Sequence, residues 1–167
     1  MLDGRRGPFN TAFAFPSPGD PKRKENRYAE QQKKPSESGR AENPADEHKQ
    51  AALHFLKLVE SGQIEQAYQR YAAVNGKHHN PYFRAGFPAL QKGMQANHDQ
   101  FPDMRLTVKN VIGEGDLVAV HSQVVQSPGE QGMAAVHIFR FEGDKFVEFW
   151  DCGEPVPTDS QNEDGMF

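Results

Sequence analysis

The sequence predicts an α+β fold in which helices pack on one face of a curved antiparallel sheet. Three observations carry that expectation. Apolar residues recur at helical spacing only between Glu47 and Phe101. Strict two-residue alternation takes over from Arg105. The last two alternating runs, within Ala135–Cys152, face each other across Glu142-Gly143-Asp144-Lys145, a short polar connection with a glycine. Pairing Glu142 with Lys145 and counting outward sets Phe141 against Phe146, Phe139 against Glu148 and His137 against Trp150 on one face. Ile138, Arg140, Val147, Phe149 and Asp151 then share the other face.

The front of the chain lacks the material for a core. Residues 1–46 hold one Leu (Leu2), no Val and no Ile, amid many Pro, Ser, Gly and charged residues. Such a segment cannot bury enough apolar surface to offset an ordering cost of about 1–2 kcal/mol per residue. An unstructured extension is expected over 1–46, read as dispensable or a misplaced start, with recruitment through Phe9, Phe13 and Phe15 as the alternative, and one folded domain over 47–167. The low mean hydropathy of -0.80 reflects the same imbalance. The extension carries nine Lys and Arg against seven Asp and Glu, and the remainder ten against sixteen, so the folded body is acidic. An acidic body argues against a nucleic-acid groove, since phosphate contacts supply much of that affinity.

Cys152 is the sole cysteine, which excludes an intrachain disulfide and any CxxC metal motif. Arg5-Arg6 lacks the apolar segment that a twin-arginine signal needs, and no stretch reads as a membrane span. A cytoplasmic protein without a membrane partner is expected.

The elements follow in order. Ala51, Ala52, Phe55, Leu58 and Val59 mark a first helix that stops at Ser61-Gly62, and Ile64, Ala67, Tyr68 and Tyr71 mark a shorter second one. Asn75 to Pro81 is rich in helix breakers and reads as a loop or the edge of a strand. A third helix from Pro88 has Leu90, Met94, Asn97 and Phe101 on one side, and the chain turns around Pro102. Strands are expected at Arg105–Ile112, with Leu106, Val108 and Asn110 on one side, and at Leu117–Val125. Gly113 to Asp116 forms the turn between them. Ser127-Pro128-Gly129 makes a loop before the hairpin, and the Pro-rich segment from Glu154 wraps or frays.

The mixed aromatic and polar face of the hairpin suits either a crowded sheet interior or the wall of a small-molecule pocket. His121 alternates with Leu117, Ala119 and Gln123, and His137 with Phe139 and Phe141. If both faces point inward, two imidazoles meet in an apolar cavity, where they could abstract a proton beside a carbonyl and stabilise the enolate. The alternative is two buried histidines, each bonded to a neighbour. His79 and Asn80 would add an imidazole and an amide donor at the pocket mouth, or form a plain Asn-Pro turn. Glu148 either orients an imidazole or sits at a solvated rim. Asp151 falls outside in this register, yet a single bulge would bring it in. Trp150 reads as core or pocket wall, and Tyr71 and Tyr82 as packing residues or donors to a substrate oxygen. The seven histidines show no HxxxH spacing, so no metal is expected. No Gly-rich phosphate loop or GxSxG elbow is present, and nothing beside Cys152 would activate it.

The paired helices are followed by His79-Asn80-Pro81 with Gly86, and then by Gly115-Asp116-Leu117-Val118-Ala119-Val120-His121. Ile138-Phe139-Arg140-Phe141 leads on to Val147-Glu148-Phe149-Trp150-Asp151, and Pro155-Val156-Pro157 and Met166-Phe167 come last. Taken in order, these features resemble the SnoaL-like, polyketide cyclase-like branch of the NTF2-like superfamily, particularly its predicted aldol-condensation group. The resemblance spans about 47–167. It implies a cone-shaped roll enclosing a pocket, homodimers formed through the open sheet face, and acid/base chemistry without metal or cofactor. Members commonly have an acidic residue just before the Ile-Phe-Arg-Phe phrase, where this chain has His137, and often a histidine where it has Phe149. If that acid is the acid/base in active relatives, this chain either uses imidazole in its place, which its pKa near neutrality allows, or has lost the chemistry.

The reading for function is cofactor-independent acid/base chemistry, an aldol-type cyclisation or isomerisation, on a partly apolar carbonyl compound. His121, His137 and Glu148 are the candidate catalytic residues. His79, Asn80, Tyr82, Phe139, Trp150 and Asp151 are the candidate substrate contacts. A non-catalytic ligand-binding or dimerisation module, and a protein-interaction module using the exposed sheet face, are the competing readings.

Overall fold

Pro44 opens the first helix, α1 (Pro44–Glu60), at a position where a missing N–H costs no hydrogen bond. The computed structural model describes residues 44–167. The expected unstructured extension therefore lies outside the described residues up to position 43, and Pro44 to Asp46 are the first turn of α1 instead. Ala52, Phe55, Leu56 and Leu58 form its buried stripe. At its end, Glu60 accepts hydrogen bonds from Lys57 at 2.7 Å and from the Leu106 backbone N–H at 3.1 Å. Burial alone would raise the Glu60 pKa. These bonds and the charges of Lys57 and Arg105 outweigh it and hold the carboxyl below its ordinary value.

Helix α2 (Ile64–Tyr71) buries Ile64, Ala67, Tyr68 and Tyr71, as its spacing predicts. Its last carbonyls, on Gln69 and Arg70, accept from the Lys145 ammonium. Next come β1 (Ala72–His78), α3 (Phe87–Gln100), β2 (Arg105–Glu114), β3 (Leu117–Val125), β4 (Met133–Glu142) and β5 (Lys145–Pro155). The five strands form one sheet in the order β1-β5-β4-β3-β2. No helix among the described residues is long and apolar enough to cross a membrane.

Three expectations need correction. Asn75 to His78 belongs to an edge strand that runs parallel to β5, so the sheet is mixed while its other four strands are antiparallel. Gly76 permits this. A Cβ there would lie 1.9 Å from the Phe87 ring, so the strand can approach α3 only without a side chain. The hairpin register also shifts. Glu142 pairs with Lys145 and Phe141 with Phe146 as expected, around Gly143, whose positive φ of 61° stands where a type II′ turn takes glycine. Val147 is then an extra residue. Beyond it Arg140 meets Glu148, Phe139 meets Phe149, Ile138 meets Trp150, and His137 meets Asp151. A smaller bulge in β2, at Lys109, sends Asn110 to the outer face and Val111 to the core, against the simple alternation of Leu106, Val108 and Asn110.

The bulge in β5 gathers Phe139, Phe146 and Phe149 on the helix-covered face around Phe55 of α1, each at most 1% exposed. Phe55 meets Phe146 edge-on at 4.9 Å, and Phe139 lies 5.0 Å from Phe149 and 5.3 Å from Phe146. Such contacts add to the burial of the rings themselves. Phe139→Ala should lower the unfolding free energy by about 3–5 kcal/mol in urea denaturation. A loss below about 1 kcal/mol would show that the core does not depend on this cluster.

Candidate functional site

His137 sits in the middle of β4, between Val120 of β3 and Asp151 of β5, and all three share the helix-covered face. Its ring is 8% exposed and lies parallel to Phe149 at 6.0 Å. Nε2 is 3.8 Å from Asp151 Oδ1, while Nδ1 is buried without a protein partner. Burial favours the neutral ring and the Asp151 charge opposes it. Burial wins, so the His137 pKa falls below its ordinary value.

Asp151 is held from the other side. Asn80 donates from Nδ2 to Asp151 Oδ2 at 3.0 Å, and its Oδ1 accepts from the Tyr82 N–H at 2.9 Å. That second bond is the local turn that asparagine favours before proline. The loop is fixed further by the His79 N–H to the Phe149 carbonyl at 2.9 Å and by His78 Nε2 to the Arg84 carbonyl at 2.7 Å. The Tyr82 side chain itself is 87% exposed.

The same face holds two polar groups that the sequence reading did not single out. Ser122 of β3 is fully buried and its Oγ has no protein partner. Tyr68 of α2 donates from its hydroxyl to the Met94 sulfur at 3.3 Å, a weak acceptor. Burial, with the Asp151 charge acting in the same direction, pushes the phenol pKa up. The available signal was Ser122 itself, the one polar residue in the inward series Val118, Val120, Ser122, Val124.

His121 is not part of this group. It pairs with Val136 on the outer face, where Asn110 Nδ2 lies 3.3 Å from its Nδ1 and Phe167 stacks on it at 5.8 Å. The expected meeting of His121 and His137 in one cavity therefore does not occur. The strand alternates, and the buried set is Val118, Val120 and Ser122. The bulge moves Glu148 and Trp150 outward as well. Glu148 accepts from His79 at 2.9 Å and from Arg140 Nε at 3.1 Å, and those bonds hold its carboxyl below the ordinary value. His79 stacks on Trp150 at 4.9 Å, and Arg140 lies 5.7 Å from the same ring while also pairing with Asp116. Of the candidate contacts, Asn80 and Asp151 thus join His137. Phe139 is wholly enclosed among core aromatics, and His79, Glu148 and Trp150 form a separate outer cluster.

Grooves elsewhere do not touch this group. One of about 510 Å³ is lined by Glu47, Gln50, Ala51, His54 and Tyr71. Another, of about 370 Å³, includes Lys77, Arg140 and Glu148. Among the described residues no three His, Cys, Asp or Glu side chains converge as a metal ion would need.

The family model described as a SnoaL-like domain matches residues 52–149, from the buried stripe of α1 to the strand that carries Phe149. The chain belongs to the SnoaL-like domain family. No curated protein sequence matches it. Among solved structures, the SnoaL-like domain is similar to AclR, a putative hydroxylase from Streptomyces galilaeus, with 22% identity over 66% of this chain and 81% of that one, at a TM-score of 0.56. It is similar to a putative polyketide cyclase from Acidithiobacillus ferrooxidans, with 20% identity over 65% and 88% and a TM-score of 0.53. Bal32a, from a soil-derived mobile gene cassette, shares 13% identity over 66% and 92%, at a TM-score of 0.57. At these identities the likeness establishes the fold.

The lowered His137 pKa makes a signed prediction. The unfolded chain, with an ordinary imidazole, binds a proton more readily than the folded one, so stability should fall as pH drops below about 6.5. Urea midpoints measured between neutrality and pH 5 should decline more steeply for the wild type than for His137→Gln; equal slopes would mean that His137 titrates alike in both states.

Proposed function

We propose that the SnoaL-like domain performs cofactor-independent acid/base chemistry on a carbonyl compound, an aldol-type cyclisation or an isomerisation, at His137 and Asp151. The observation that carries this is a buried imidazole with a free Nδ1, its Nε2 3.8 Å from a carboxylate; burial outweighs that charge and favours the neutral ring. Asp151 favours the tautomer with its proton on Nε2, which leaves the lone pair on Nδ1 to accept a proton from the carbon next to the carbonyl. The imidazolium so formed is stabilised by the Asp151 charge, and returning the proton to another carbon or to an oxygen completes the isomerisation or closes the aldol step. Asn80 fixes the carboxylate during the exchange. No metal or redox partner enters the balance.

Proton abstraction can be followed as deuterium uptake from heavy water into a panel of aryl ketones and β-diketones. His137→Gln should slow uptake by about a hundredfold or more and Asp151→Asn by about tenfold or more, whereas His121→Ala, on the outer face, should leave it unchanged. Full activity in His137→Gln would overturn the assignment.

The outer sheet face favours a second reading, a homodimeric module that binds without reacting. Ile112 and Val136 stand 68% and 36% exposed there. Ile112→Lys should then convert a dimer to a monomer in sedimentation; a wild-type monomer would remove this reading.

A further inference from the structure

We infer that the interior site selects an uncharged ligand through Ser122 and Tyr68, which donate hydrogen bonds to a ligand oxygen, and that it rejects carboxylates. The inference rests on reading the helix-covered face as a ligand site and goes beyond the role of His137 as base.

Ser122 is placed by register. Val120 lies opposite His137, and Ser122 lies opposite Ala135, so Ser122 is the diagonal neighbour of His137 on the same face. Diagonal neighbours sit about 7–8 Å apart at Cα, close enough for both side chains to reach one small group between them. The Ser122 hydroxyl and His137 Nδ1 are both buried without protein partners, an expensive state for two polar groups in a native interior. Across β3, β4 and β5 the row through Ser122 is Ser122, Ala135 and Gly153, with Val108 of β2 at its edge, whereas two rows away the same three strands present Val118, Phe139 and Phe149. The face therefore passes from bulky rings to small side chains at the point where its polar groups lack partners. Tyr68 adds a phenol that burial and the Asp151 charge keep protonated, and it spends its proton on a thioether that any carbonyl oxygen would outcompete.

Charge decides the ligand class. None of the described Lys and Arg residues is buried; Lys77 and Arg140 line the outer groove, and Lys145 is engaged at the end of α2. Among the described residues the buried groups able to become positive are His78, already bonded through Nε2 to the Arg84 carbonyl, and His137, which Asp151 already faces. A bound carboxylate would place two anions against one cation away from water, which is strongly unfavourable. A ketone, ester or alcohol oxygen meets two neutral donors and no opposing charge.

The test uses acetophenone and benzoate, matched in skeleton and different in charge, titrated separately into the full-length protein at neutral pH. Histidine ring signals are followed by NMR, with His137 assigned from His137→Gln. Acetophenone should shift the His137 signals and bind at least tenfold more tightly than benzoate. Ser122→Ala and Tyr68→Phe, both small changes, should each weaken acetophenone by about three- to tenfold, the usual weight of one neutral hydrogen bond. Benzoate binding as tightly as acetophenone while shifting His137 would overturn the inference and leave the site standing. So would unchanged acetophenone affinity in both variants. If neither compound moves His137, the ligand site itself falls, and the inference falls with it.

Discussion

One extra residue in β5 determines what each side of this sheet can do. Side chains alternate along a strand, so a bulge exchanges the two faces for every residue beyond it. Before Val147 the hairpin pairs without interruption; after it, Phe149 and Asp151 turn toward the helices, and Glu148 and Trp150 turn away. Without the bulge, Glu148 and Trp150 would lie against the ring of Phe55, and Phe149 would face outward. A carboxylate enclosed by aromatic rings with no cation in reach is a costly arrangement. The bulge puts the Phe149 ring into the core instead, and Glu148 gains His79 and Arg140 as partners at the surface.

This explains which parts of the fold were legible. Helical spacing identified the buried positions of α2 without error, because a face that must pack leaves a 3.6-residue period. The turn at Gly143 and the first two pairs beside it were legible because turn chemistry is local. The bulge was not, since Val147 is an ordinary strand residue and nothing in its type marks it as unpaired. The parallel pairing of β1 with β5 joins segments about seventy residues apart. Within β1, Asn75-Gly76 reads as a breaker until the Phe87 ring that requires the glycine is in place.

The candidate site was half legible for a related reason. His137 and Asn80 could be named from sequence, and Asp151 with them once a bulge was admitted. His121 was assigned to the wrong side because both sets of residues in β3 are largely apolar. Leu117 and Ala119 accompany His121, while Val118 and Val120 accompany Ser122. Alternation gives the two sets but not their direction. The series that turns inward is the β-branched one, which fills the space under α1, and it carries one hydroxyl with it. A serine among valines is a weaker signal than a histidine beside a polar turn, yet it is the one that points inward.

The same geometry makes His137 a cheaper group to bury at its position than an acid would be. An acid at position 137 would place a carboxylate in the middle of β4. Here the carboxylate stands one strand over, on Asp151, where it keeps 27% of its side-chain surface and takes a hydrogen bond from Asn80. The deep position is given to a group that is neutral when buried and stacks on Phe149. Neutral imidazole is far cheaper to enclose than carboxylate, and it gains a positive charge on accepting a proton. An acid in the same place would lose its charge on protonation, so it would need no partner at that moment. His137 does need one, and Asp151, facing Nε2 across the strand pair, is placed to supply it. In the proposed reaction the imidazole and carboxylate therefore act as one unit, with the base at the deep position on β4 and its charged partner on the neighbouring strand.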